Sequence, residues 1–247
     1  MNMCLCNLFV LTTVISPKSI VNGTTKGDSG MLKSIPSKLK KCLEDHRMWL
    51  VSHGEHGHRA VLNGFDLSDL DLQGVKLADA HLHGADMTGV QLRAADLTGA
   101  DLACCCLEQA GLQWANLAGA NVSKANMAGA HLQFTNLSGA ILESTVFENA
   151  RLHNTWLWRC VCTETDFRRA CFSFASFSSA HLKKARFEQT VFSHTEFDHA
   201  EFESCDFSNA TIARCNMTGA RFYQCDFTGA NLVQVDIPTH NQEDDCT

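Results

Sequence analysis

Large apolar residues recur at every fifth position through most of this chain. They stand at Leu62, Leu67, Leu72, Leu77, Leu82 and Met87 and continue without a slip to Phe227, Leu232 and Ile237, making 36 frames. A fixed short period marks a quasi-one-dimensional solenoid. It therefore overrides the ordinary globular reading that 247 residues, 45% of them apolar, would invite.

Five residues cannot complete a helical or hairpin unit, so each frame must be one short side and one corner. The slot two before the centre is Ala, Cys, Thr or Val in 34 of the 36 frames, with Phe65 and Leu70 the exceptions. Alternation along an extended segment puts this slot and the centre on the same, inward side. The residue between them points outward, as Asp96 does in Ala95-Asp96-Leu97-Thr98-Gly99. Pairs such as Thr98-Gly99, Ser138-Gly139 and Thr218-Gly219 supply turn chemistry. An axis that admits only a small residue beside each Leu or Phe implies a narrow, dry tube. Its centres change midway. None of the 17 from Leu62 to Leu142 is Phe, whereas 11 of the 19 from Phe147 to Ile237 are.

The frame Ala-(Asp/Asn)-Leu-X-X resembles that of the pentapeptide-repeat family over about 70% of the chain. The resemblance implies an all-β solenoid, a right-handed quadrilateral β-helix with four frames to a coil. Stacked at roughly 4.8 Å, about nine coils would extend about 43 Å. The segment carrying Leu43, His46, Trp49, Leu50, Ser52, Gly54, Gly57, Arg59 and Ala60 also resembles the N-terminal cap of bacterial members.

Four segments follow in order. Residues 1–36 form an extension expected to be disordered or mis-started, with Met31 as an alternative start. Residues 3–15 are apolar but too short for a span of about 20 residues, and no cationic stretch precedes them. Residues 37–59 hold a capping helix and linker. Leu39, Cys42, Leu43, His46, Trp49 and Leu50 share one face at helical spacing, and Leu43, Trp49 and Leu50 are expected to rest on the first coil. A solenoid needs such a cap over its open end. Residues 60–238 form the β-helix, which Pro238 stops, and residues 239–247 are a polar tail.

The formal charge of −7 argues against direct nucleic-acid binding, which needs clustered Lys and Arg. Thirteen cysteines is a number found in disulfide-linked scaffolds. However, Cys105, Cys160, Cys205, Cys215 and Cys225 occupy the small slot and Cys162 a centre, so they read as core fillers. Free thiols in such numbers favour a reducing, cytoplasmic setting.

With four frames to a coil, outward residues sort onto four faces. The Leu67 face carries Asp66, Asp69, Asp86, Glu108, Glu148, Asp166, Glu188, Asp206 and Asp226 against Arg168, Arg169 and Arg186, a net of −6. The Leu72 face comes to +2, with Asp71 against Arg93, Arg151 and Arg214. A belt of outward apolar residues marks the change from Leu to Phe centres. Ile141, Val146, Trp156 and Val161 take normally polar slots, Trp158 stands beside them, and Trp114, Phe134 and Phe174 share a column interrupted by Asn154. Exposed Trp near Arg151 and Arg159 has the composition of a binding hot spot.

A filled tube has no cleft, and no nucleophile–base pair, phosphate cradle or metal-ligand set stands out, so neither catalytic residues nor a cofactor nor a metal is expected. The expectation is a non-enzymatic, cytoplasmic scaffold whose faces bind a protein partner, with no membrane span. A homodimer through a rod end is one arrangement open to it. The resemblance supplies an alternative, because family members that protect DNA gyrase and topoisomerase IV from quinolones are thought to present a DNA-mimicking acidic surface. Unlike those relatives, this chain ends in a short polar tail rather than a helix. A third reading is a secreted effector delivered by its first 30 residues.

Overall fold

The computed structural model describes residues 33–235. The expectations for the extension up to residue 32, for the final centre Ile237, for Pro238 and for the polar tail lie outside the described residues.

The chain enters as an extended segment that pairs with the first coil. The Lys33 N–H donates to the Asp69 carbonyl at 2.8 Å, and its ammonium donates to Ser68 Oγ at 2.7 Å. Helix α1 (Ser37–Val51) starts after Pro36. It rests on the first coil through Leu39, Cys42, Leu43 and His46. His46 is buried, and its Nδ1 accepts the Ala60 N–H at 3.0 Å. Burial holds this imidazole below its ordinary range, hence neutral and able to accept. Leu43, Trp49 and Leu50 are each half-buried, and Leu43 packs against the core. Trp49 stacks on His46 at 5.6 Å and lies under the Arg59 guanidinium at 5.8 Å, so it braces the linker. The linker needs Gly57 (φ +76°), because a side-chain carbon there would strike the Asp45 carbonyl.

From residue 60 the frames form a β-solenoid in which residue i pairs in parallel with residue i+20, first as Val61 with His81 and at the far end as Asp206 with Asp226. Four frames therefore make one coil. Leu62 to Ile212 at the centres are buried without exception, as are nearly all the small slots beside them. Phe65, one of the two oversized small-slot residues, is largely exposed, whereas Leu70 is buried. Both sit in the first coil, which has no coil before it to crowd the slot.

Full strands are fewer than nine coils would supply. Among the described residues, three-residue strands occur only from Val161 onward: β1 (Val161–Thr163), β2 (Cys171–Ser173), β3 (His181–Lys183), β4 (Val191–Ser193), β5 (Glu201–Glu203), β6 (Thr211–Ala213), β7 (Arg221–Tyr223) and β8 (Asn231–Val233). They form two parallel ladders, β1-β3-β5-β7 on the Leu62 face and β2-β4-β6-β8 on the Leu72 face, spanning four turns. Elsewhere the same register is carried by single bridges.

Corner geometry accounts for the difference. The second residue after each centre has left-handed φ, whether Gly99 (+64°), Ala94 (+56°) or Trp114 (+64°). In the first half the next N–H closes the turn onto the centre's carbonyl, as Ala95 does onto Leu92 at 2.9 Å. That bond is absent after Cys162, Phe172, Leu182, Phe192, Phe202 and Ile212, and kept after Phe167, Phe177, Phe187 and Phe197. The opened corners free a third residue on two opposite faces to join the ladder.

The aromatic centres stack in register. Phe147, Phe167, Phe187, Phe207 and Phe227 form one column with ring centroids 4.7–5.1 Å apart and nearly parallel planes. Neighbouring columns meet it edge-on, as Phe172 meets Phe167 at 66°. Both arrangements suit the ring quadrupole.

Candidate functional site

Outward Asp and Asn are used by the scaffold itself. Asp86, Asp96, Asp101, Asn116, Asn136, Asp206 and Asp226 each accept, through Oδ1, the backbone N–H two residues on, at 2.8–3.3 Å. A short acceptor side chain in this position tightens the bend beside each corner. Asp66 does the same with Ser68, whose hydroxyl adds a second bond and lowers the carboxyl's pKa. Hence Asp96, the outward residue of the model frame, is a turn fastener, further paired with Lys76 at 3.7 Å.

The Leu67 face is not a continuous acidic strip. Arg168 binds Asp166 through two nitrogens at 2.6–3.0 Å, and Arg169 reaches Glu148 at 2.7 Å. Arg186 binds Glu188 at 2.9 Å and lies 3.8 Å from Asp166. Three carboxylates and three guanidiniums thus neutralise the middle of the face. Burial opposes the charge on Asp166, yet the Arg168 hydrogen bonds and the backbone N–H of Arg168 hold its carboxyl below the ordinary range. Asp69 is tied to Lys33 at 3.8 Å. Among the described residues, the carboxylates of this face outside any ion pair fall into two patches, Asp66, Asp86 and Glu108 toward the cap and Asp206 and Asp226 toward the far end.

The apolar belt divides into a ridge, a platform and a flank. The ridge is the corner column after the Leu72-face centres. Trp114 and Phe134 stack there at 4.1 Å with planes 4° apart, Asn154 follows, and Phe174 stacks on His194 at 4.8 Å. These residues have φ of +52° to +64°, where bulky side chains carry backbone strain. The platform lies on the Leu77 face, where Trp156 and Trp158 are 51% and 47% exposed. Trp156 is in register with Asn136 before it and Ser176 after it, so the indoles rise from small polar neighbours. The Arg159 guanidinium lies 5.9 Å from the Trp158 ring. The flank is Ile141 and Val161, in register on the Leu62 face and both exposed. Val146 is only half-buried in its place on the Leu67 face, between Asn126 and Asp166, and stands apart from the platform.

Sorting by face also brings together residues that motif reading passed over. His131, Gln133, Arg151 and His153 flank the buried centres Leu132 and Leu152 on the Leu72 face, beside the ridge. The signal that would have found them is the 20-residue column, not any local motif. Among the described residues, no group of three or more His, Cys, Asp or Glu is placed to hold a metal, and no helix is long and apolar enough to cross a membrane. The buried thiols are core fillers, as their slots implied. Desolvation pushes Cys105 up to about 12, and its neighbours Cys104 and Cys106 are exposed.

Comparison with known proteins bears on the repeat. The family described as "Pentapeptide repeats" matches in eight copies, among residues 66–103, 76–113, 105–143, 145–183, 170–209 and 205–237. No curated protein matches. Among solved structures, full-length QnrB1, a plasmid-mediated fluoroquinolone resistance protein, is 16% identical, with 71% of this chain and 92% of that one covered and a TM-score of 0.36. HetL from the cyanobacterium Nostoc sp. strain PCC 7120, involved in heterocyst differentiation regulation, is 20% identical over 73% and 94%, with a TM-score of 0.29. A pentapeptide repeat protein of the Arabidopsis thaliana thylakoid lumen is 28% identical over 44% and 68%, with a TM-score of 0.16. The five-residue frame, the 20-residue register and the matched stretch from residue 66 to 237 together make this chain a member of the pentapeptide-repeat family.

Proposed function

We propose that this protein is a non-enzymatic, cytoplasmic scaffold that binds a protein partner through the platform and ridge around Trp156 and Trp158. One observation carries this reading: two half-exposed indoles flank the buried Leu157 on a face where the adjoining coils present Asn136, Ser138, Ser176 and Ser178. Nothing in the fold requires large apolar groups there, since the same outward slots elsewhere hold Asp, Asn and Thr. Indoles in contact with guanidiniums have the composition of interface hot spots. The test compares capture of a specific partner by the wild-type chain and by the Trp156→Ala/Trp158→Ala variant, with circular dichroism confirming that the solenoid persists. Loss of at least tenfold in affinity is expected. Equal capture by both chains would remove the belt as the site.

A second reading draws on the exposed carboxylates Asp66, Asp86, Glu108 and Asp226 and the half-buried Asp206, which would imitate nucleic-acid phosphates before a type II topoisomerase such as gyrase or topoisomerase IV. The arginine lattice around Asp166 weighs against it, because it neutralises the centre of the face. A supercoiling assay with gyrase, with and without ciprofloxacin, decides the matter. No effect at micromolar protein would exclude this reading.

A further inference from the structure

Polar side chains of two successive coils meet on the Leu72 face next to the ridge. His131 and Arg151 are in register. Gln133 and His153 stand two residues further on, and alternation about the buried Leu132 and Leu152 puts all four on the outer side. Arg151 is exposed, and among the described residues its guanidinium forms no ion pair; only its backbone N–H donates, to the Ala130 carbonyl at 3.0 Å. In this it differs from Arg168, Arg169, Arg186 and Arg221, each matched to a carboxylate. The Leu72 face holds a single acidic residue, Asp71, four coils away.

The imidazole beside Arg151 is arranged as a donor. Gln113 Nε2 lies 3.4 Å from His131 Nδ1. An amide N–H can only donate, so Nδ1 accepts and the proton sits on Nε2. Among the described residues, the buried atoms Gln133 Oε1, an acceptor, and His153 Nδ1 have no hydrogen-bond partner, and such groups are costly to leave unmatched.

We propose that Arg151, flanked by His131 and His153, receives a carboxylate presented by the protein partner that the aromatic belt binds. The inference rests on the scaffold reading above and adds the partner's chemistry, an acidic side chain next to the apolar surface that covers Trp156 and the ridge. Arg fits a carboxylate through parallel N–H donors, and an imidazole on each side can add another.

Binding is then linked to protons. Burial, with the charge of Arg151 beside it, holds both imidazoles below their usual range, so they are neutral at pH 7. The other groups facing them are Gln113, Gln133, the ridge residues Trp114, Phe134 and Asn154, and Cys171, which follows Arg151 in the column. None of these carries a positive charge. A carboxylate on Arg151 offsets that charge and favours protonated imidazole, so binding takes up protons and tightens as pH falls through the imidazole range.

The test uses the full chain without a partner. Histidine Cε1–H resonances are titrated with pH in acetate, in sulfate and in chloride at matched ionic strength. Acetate is expected to raise the midpoints of His131 and His153 relative to chloride. Arg151→Gln should raise both in chloride and abolish the dependence on acetate, whereas Arg151→Lys should retain part of it. Midpoints that acetate leaves unchanged, or an acetate response that survives in Arg151→Gln, would overturn the proposal. A response to sulfate without one to acetate would overturn it in favour of a free inorganic anion. Because the readout involves no partner, its failure leaves the tryptophan test standing, and the reverse also holds.

Discussion

Asp166 shows how little freedom an outward residue of this scaffold has. Its carboxylate accepts the Arg168 backbone N–H and both ends of the Arg168 guanidinium, with only 12% of its side chain exposed. Asp166→Asn keeps the backbone bond and loses the charge, and should cost about 1–2 kcal/mol at pH 7, measured by urea unfolding. The sign with pH follows from a folded pKa below the unfolded one. The contribution is complete above the unfolded carboxyl range near ~4 and is lost as pH falls through the lower folded value. Wild type and variant should therefore converge in acid. The corners behave oppositely. Ala94 holds φ +56°, a conformation that disfavours any side chain, so Ala94→Gly should stabilise by about 0.5–1 kcal/mol despite the looser unfolded chain. A lower unfolding midpoint for this variant would contradict the strain argument.

The aromatic column is the element that distinguishes the second half of the solenoid. Phe187 stacks between Phe167 and Phe207 at 5.1 and 4.7 Å and meets Phe177 and Phe192 from the side. Phe187→Ala should cost about 3–5 kcal/mol by chemical denaturation, because the rigid coils around the cavity cannot close on it. Inward threonines contribute differently. Thr165 Oγ1 donates to the Leu142 carbonyl of the preceding coil at 2.7 Å, as Thr135, Thr145 and Thr155 do to theirs. Thr165→Val keeps the volume and loses that bond, and should cost about 1 kcal/mol in the same measurement.

Coils stacked in one dimension contact only their neighbours, so a local defect should stay local. In the Phe187→Ala chain, hydrogen exchange should accelerate at amides of β3, β4 and β5 and remain unchanged around Leu82 and Leu97, several coils away. Uniform acceleration along the whole solenoid would mean that it unfolds as one cooperative unit. The same layout explains how binding groups can be carried without damage to the fold. Outward slots between two buried positions tolerate Trp, Arg or His because their side chains leave the core untouched, whereas the centres tolerate little.

How much of this was legible follows from the same division. A period of five with a small residue beside every centre dictates a narrow tube, because no helix or hairpin can bury that pattern, and the 20-residue coil then assigns each outward residue to a face. Leu97, Cys105 and Phe187 could be placed in the core, and Trp114 and Phe134 in one column, from spacing alone. Spacing could not tell which charges cancel. Asp166 and Arg168 read as opposing entries in a count, and only their approach to 2.6 Å turns an acidic strip into two patches. It also could not distinguish a corner closed by a hydrogen bond from one opened into a strand, since both are made from the same residue types. Periodicity sets which side of the wall a residue lies on. The distances along the wall, and so the pairing of Arg168 with Asp166 and Glu148 and of Arg186 with Asp166, are decided by side-chain packing within a coil and between coils 20 residues apart.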